Sequence, residues 1–181
     1  MPDLYMNTNI KKQFSPERIT EIQELMKRYP AEKSKSALIP LLHMAQADFD
    51  GWLSPESMDY VAEILQIEPI EVYEVASFYS MFNLKPMGKF VLEVCHTGPC
   101  MVVGVEKIIS YLESSLQIKK GQTTADGLFS IKTVECLGSC GTAPMMQCGA
   151  KYYENLTEEK IDLLLESFRN TEKRPAYTDL V

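Results

Sequence analysis

The chain has 181 residues, of which 45% are hydrophobic and 24% charged, and a formal net charge of −7 at pH 7. The composition is that of an ordinary globular protein, and the acidic balance, with no basic stripe, excludes electrostatic binding of nucleic acid. No apolar run approaches the ~18 residues of a membrane span, and neither GxGxxG nor the P-loop GxxxxGK[ST] occurs, so no nucleotide site is expected on this chain.

Residues 1–14 read as a loose arm. They are polar, carry two lysines, and show neither an apolar signal core nor an Arg-rich transit pattern, which points to a reducing cytoplasm. Ser15-Pro16-Glu17 opens a first helix with a capping hydroxyl, a proline in the first turn and an acid against the dipole. Ile19, Ile22, Leu25, Met26 and Tyr29 form its apolar face, and Pro30 ends it. After a polar break at Lys33–Ser36, the spacing of Leu38, Leu41, Leu42, Ala45 and Phe49 predicts a second helix, which tolerates Pro40 only near its start. Asp50-Gly51 makes a turn, Ser54-Pro55-Glu56 repeats the start signal, and Met58, Val61, Ala62 and Leu65 give a third stripe. The fourth segment, 69–82, differs. Ile70, Val72, Tyr73, Val75, Ala76, Phe78, Tyr79, Met81 and Phe82 leave it almost no polar face. A helix apolar all round is enclosed by its own protein or by another. The first expectation is the centre of a four-helix bundle; the second is a docking surface for a partner subunit.

Asn83–Gly88 reads as a linker, and the pattern then changes. Lys89–Val94 is strand-like and delivers Cys95. Residues 104–116 form a helix with Val105, Ile108, Ile109, Leu112 and Leu116 inward, and 119–127 a polar loop. Phe129 to Glu135 alternates as a strand that delivers Cys136. Pro144 to Leu156 holds a β-hairpin turning at Gly149-Ala150, and Thr157-Glu158-Glu159 starts a last helix with Ile161, Leu164, Leu165 and Phe168 inward. The polar tail from Asn170 is expected to be mobile until bound. Strand, helix, strand, hairpin, helix is an α/β (α+β) unit compatible with a thioredoxin-like sheet. Both cysteine pairs then fall in loops beyond strand ends, where α/β folds commonly place sites. Pro144 sits where such a fold uses a cis-proline.

Four of the five cysteines stand in two tight pairs, Cys95-His-Thr-Gly-Pro-Cys100 and Cys136-Leu-Gly-Ser-Cys140. A [2Fe–2S] cluster takes four thiolates, two on each iron, and a short spacing within one loop supplies two together. Gly98, Pro99, Gly138 and Gly141 bend the chain and let backbone N–H groups approach sulfur, which offsets the negative charge of such a cluster. A helix beginning near Gly104 would add its positive end. Structural zinc also uses four-cysteine sites of similar spacing and is the rival reading, as a redox-silent interaction module. Disulfides would need an oxidising compartment, a redox dithiol would need Cys-x-x-Cys, and a Rieske centre needs two histidines, whereas only His43 and His96 are present. Cys148 reads as a small buried apolar residue. No catalytic residue emerges.

These motifs resemble the [2Fe–2S] 24-kDa-type subunit of bacterial NADH:quinone oxidoreductase (complex I). The family pattern is C-x4-C, about 35 residues, then C-x3-C, and the gap here is 101–135. Gly121–Gly127, Val134–Cys140, Ala143–Gln147 and Val72–Asn83 are similar too, and the likeness runs over roughly residues 15–170. Cys148 departs from it, standing where the family usually has an aliphatic residue. The resemblance implies a helical bundle over 1–85, followed over 86–181 by a thioredoxin-like ferredoxin domain. It implies Cys95, Cys100, Cys136 and Cys140 as ligands of one [2Fe–2S] cluster, with no substrate site on the chain itself. It further implies a tight flavoprotein partner carrying FMN, an NADH site and a [4Fe–4S] cluster, with other peripheral-arm subunits around it. The complex would lie at the cytoplasmic face of a membrane into which this chain does not insert. Related subunits occur in NAD-linked hydrogenases and formate dehydrogenases.

Overall fold

The computed structural model describes residues 12–176 and divides into two compact units, Met1–Pro86 and Met87–Val181. The loose arm expected at the N-terminus lies mostly outside the described residues. Of its last part, Phe14 is buried, stacking on Phe49 with ring centroids 4.8 Å apart.

The first unit holds four helices around one core: α1 (Pro16–Met26), α2 (Leu38–Asp48), α3 (Pro55–Leu65) and α4 (Pro69–Phe78). The two Ser-Pro-Glu signals act as read. Ser15 Oγ accepts from Arg18 N–H, and Ser54 Oγ from Ser57 N–H. The segment expected as a polar break is a short 3-10 helix, Ala31–Ala37, that leads directly into α2. Pro40 stands in the first turn of α2, where no intrahelical N–H is missed. Gln46 is a buried polar staple. Its amide donates to Met81 O at 3.0 Å and its oxygen accepts from Asn83 N–H at 2.7 Å, tying the end of α2 to the chain after α4. Ser54 caps α3 and also hydrogen-bonds the buried Ser57 hydroxyl at 2.8 Å. We therefore expect Ser54→Ala to cost about 1–2 kcal/mol, read as a lower urea midpoint at unchanged m-value.

The fourth segment departs from expectation. Only Val72 and Ala76 of α4 are buried. Ile70 and Phe78 are 63% and 80% exposed, and Tyr79 is also exposed. The helix packs through one face against α3 and α2, so it is not the centre of the bundle. Its opposite face carries apolar residues that this unit leaves in solvent.

The second unit is a four-stranded sheet of order β2-β1-β3-β4. β1 (Phe90–Cys95) pairs in parallel with β2 (Phe129–Val134) across the crossover helix α6 (Val105–Leu116). β1 also pairs antiparallel with β3 (Met146–Cys148), which pairs antiparallel with β4 (Lys151–Tyr153). Cys148 faces Lys151 across the hairpin, so the turn is Gly149-Ala150 as expected. Gly149 takes φ +60°, and a Cβ there would come within 2.6 Å of Pro175. The last helix is α7 (Glu158–Arg169). Its Phe168 stacks on Phe90 at 4.8 Å and forms the centre of the core with Phe129. Burying each of these rings contributes about 1.5–3 kcal/mol. The tail up to Ala176 is not loose. Arg174 donates to Gly88 O at 2.8 Å, and Pro175 lies against Gly149. The Ala143–Pro144 peptide bond is cis.

Candidate metal centre

The parallel pairing Cys95↔Val134 ends β1 and β2 at the same edge of the sheet. The chain leaves each strand straight into a cysteine loop. After β1 come His96 and Thr97, then a short helix, α5 (Gly98–Val102), which places Cys100 in its first turn. In the sequence, Gly98-Pro99 suggests only a bend, and α5 is an addition to the expected elements. A proline in the first turn is a helix-start signal that points to it. The expected helix near Gly104 is α6, one element further on, so α5 rather than α6 carries the thiol.

After β2 the chain passes Glu135 to Cys136 and turns at Gly138, whose φ of +77° suits a residue without a Cβ. Gly138 N–H then points back at Cys136 Sγ at 3.4 Å. Cys136 and Cys140 lie with sulfurs 3.9 Å apart, both exposed. Cys95 and Cys100 are both buried, and each shifts the other's pKa. Cys95 lies 3.5 Å from the Thr97 hydroxyl, and the backbone N–H groups of Leu137, in the other cysteine loop, and Thr97 lower its pKa. The Met145 backbone N–H partly offsets the rise of the Cys100 pKa.

The charges interact as crowded thiolates do. Burial pushes the Cys95 thiol up, but hydrogen bonds from Thr97, Leu137 and Cys100 outweigh it and hold its pKa below the usual value. Burial, and then Cys95 as neighbour, raise Cys100 to about 11. The hydrogen bond and charge of Cys136 raise Cys140, which also feels Cys95. Cys100 feels the charge of Cys140, and Cys140 that of Cys95, so the two loops bring their thiols into electrostatic reach of one another. Two thiol pairs, one with a backbone N–H donor at 3.4 Å, suit the two irons of a [2Fe–2S] cluster, each of which takes two thiolates. His96 is engaged elsewhere, on the Glu106 carboxylate. Cys148 is buried in β3, and burial followed by the charge of Glu93 raises its thiol to about 12.

The model of the thioredoxin-like [2Fe–2S] ferredoxin family matches residues 22–169. The chain belongs to this family. It therefore carries the iron–sulfur chemistry of a [2Fe–2S] ferredoxin. Its relatives include the E subunit of NADH-quinone oxidoreductase from Rickettsia felis, 41% identical over 165 residues that cover 91% of this chain and 98% of the relative. The corresponding protein of Rickettsia prowazekii is 40% identical over 163 residues, covering 90% and 92%. Among solved structures, an NAD+-reducing [NiFe]-hydrogenase in the H2-reduced state matches 75% of this ferredoxin-family chain and 22% of its own, with TM-score 0.65 and 23% identity, a likeness of fold.

Proposed function

We propose that this ferredoxin-family chain is the electron-transfer subunit of an NADH-quinone oxidoreductase (complex I), in which Cys95, Cys100, Cys136 and Cys140 hold one [2Fe–2S] cluster. The observation that carries the reading is the meeting of two thiol pairs at one sheet edge, in a chain that aligns with the Rickettsia oxidoreductase proteins over nine-tenths of its length. When bound, such a cluster takes up and returns one electron at a time. The chain's own part is to supply four thiolates, to point the Gly138 N–H at Cys136 and set the backbone N–H groups of Thr97, Leu137 and Met145 near the other pair, and to bury that pair. Hydrogen bonds to sulfur offset charge and so set the potential.

The substrate chemistry belongs to a flavoprotein partner with FMN, an NADH site and a [4Fe–4S] cluster, bound as a tight heterodimer among other peripheral-arm subunits. Met101, Val102 and Val103 beside Cys100 are exposed, Val102 at 87%. Exposed apolar side chains next to Cys100 suit a protein partner that excludes water. The helical unit, as a domain over 1–85, offers the exposed face of α4; the cluster domain spans 86–181. The complex lies at the cytoplasmic face of its membrane, and among the described residues no helix is long and apolar enough to cross one.

The test is EPR of the anaerobically purified chain after dithionite reduction, with iron, sulfide and zinc assayed on the same sample. A rhombic S = 1/2 signal with about two irons and two sulfides per chain is expected. A colourless, EPR-silent chain with about one zinc would make it a structural module. Co-purification then separates complex I from a hydrogenase or formate dehydrogenase as the parent.

A further inference from the structure

Glu154 stands just past β4, remote in sequence from every cysteine but Cys148. Its carboxylate nonetheless grips the loop on both sides of Cys140. Oε1 accepts from the Thr142 hydroxyl at 2.6 Å and from the Ser139 hydroxyl. Those two hydroxyls lie 2.7 Å apart. Three oxygens therefore meet in a triangle, and the two hydroxyls bring one proton each. A carboxylate, which only accepts, is the third member such a triangle needs. The neighbouring residues fasten the same loop: Asn155 N–H donates to Thr142 O at 2.7 Å, Leu156 N–H to Pro144 O at 2.9 Å, and Tyr152 O–H to Leu137 O at 2.7 Å. The hydrogen bonds from Ser139 and then Thr142 hold Glu154 below the usual carboxylate range, so it is charged at neutral pH.

We propose that Glu154 is a positioning residue for the cluster: it pins the Leu137–Thr142 loop through Ser139 and Thr142, and it fixes one negative charge beside the Cys136–Cys140 pair that favours the oxidised form. This rests on the reading of the four cysteines as ligands. The two effects separate chemically. Reduction adds negative charge to a cluster, so a fixed anion nearby lowers its potential. The pin acts instead on where the two sulfurs sit, and so on how firmly iron is held.

The experiment uses the full chain, assayed for iron and sulfide, with an EPR-monitored redox titration and the rate of cluster loss to a chelator. Glu154→Gln keeps the shape and an acceptor oxygen but removes the charge; its midpoint potential is expected to rise while cluster loss stays close to the wild-type rate. Glu154→Ala removes the pin and is expected to lose its cluster about tenfold faster, the equivalent of one hydrogen bond to a charged group. A Gln variant titrating at the wild-type potential would overturn the proposal, whatever the Ala variant does, because a merely structural residue leaves the potential unmoved. A wild-type chain without iron and sulfide would overturn the ligand reading and this inference with it.

Discussion

Cys136→Ser is expected to abolish the stable cluster, whereas Cys148→Ala should leave it intact. The contrast follows from the surroundings of the two sulfurs. Cys136 is exposed, 3.9 Å from Cys140, and receives the Gly138 N–H. Replacing its sulfur would remove half of the protein ligands of one iron, and an alcohol oxygen is a far poorer iron ligand than a thiolate. Because the side chain is in solvent, the substitution leaves no cavity and folding is untouched. Cys136 is thus a cleaner probe than Cys100, where a hydroxyl would enter the core. Cys148 sits in β3 at 1% exposure, its thiol raised to about 12 and therefore protonated and inert. Deleting its sulfur costs packing of about 1 kcal/mol and no ligand. Visible absorbance, together with iron and sulfide content of both variants, decides. Bleaching by Cys148→Ala, or a full cluster in Cys136→Ser, would refute the ligand set.

The sequence carried the positions of the thiols better than their setting. Proline, serine and acid at Ser15–Glu17 and Ser54–Glu56 are local signals, and the structure uses them locally. The strand-like run ending at Cys95 and the alternating run ahead of Cys136 became adjacent parallel strands because Phe90, Leu92, Phe129 and Ile131 had to be buried together. The hairpin turn was legible from its glycine. What escaped was non-local. Nothing near Glu154 in sequence distinguishes it from a solvated acid, since its partners Ser139 and Thr142 lie 15 and 12 residues away. The influence of the Leu137 backbone on Cys95 depends on the strand order, which spacing does not encode. Phe14 reads as part of a polar arm until Phe49 is brought against it. In α4 the apolar pattern was plain but silent on what covers it. Hydrophobicity on every face says that a helix is enclosed in its working state, not by which protein.

That ambiguity can be resolved by two charges placed on opposite faces of α4. Val72 is fully buried and Ala76 follows one turn later on the same face. Ile70 and Phe78, eight residues apart, line the opposite face with Glu74 between them, and Phe78 is joined edge-on by Tyr79 at 5.0 Å. Val72→Asp forces a carboxylate into the core and is expected to cost about 4 kcal/mol, near the upper end for one substitution. Phe78→Asp exchanges one solvent-facing side chain for another and is expected to shift stability by less than about 0.5 kcal/mol. If this face docks a partner subunit, the same change removes an aromatic anchor and puts a charge into an apolar interface. A loss of about 2 kcal/mol or more in binding, roughly 30-fold in Kd, then follows. Urea melts of the isolated chain and co-purification with the proposed flavoprotein subunit read the two effects separately. A stable Phe78→Asp chain that fails to hold its partner would make α4 an interface helix. Undiminished assembly would leave its apolar outer face without that role and shift the search for the docking surface to Met101–Val103 beside the thiols.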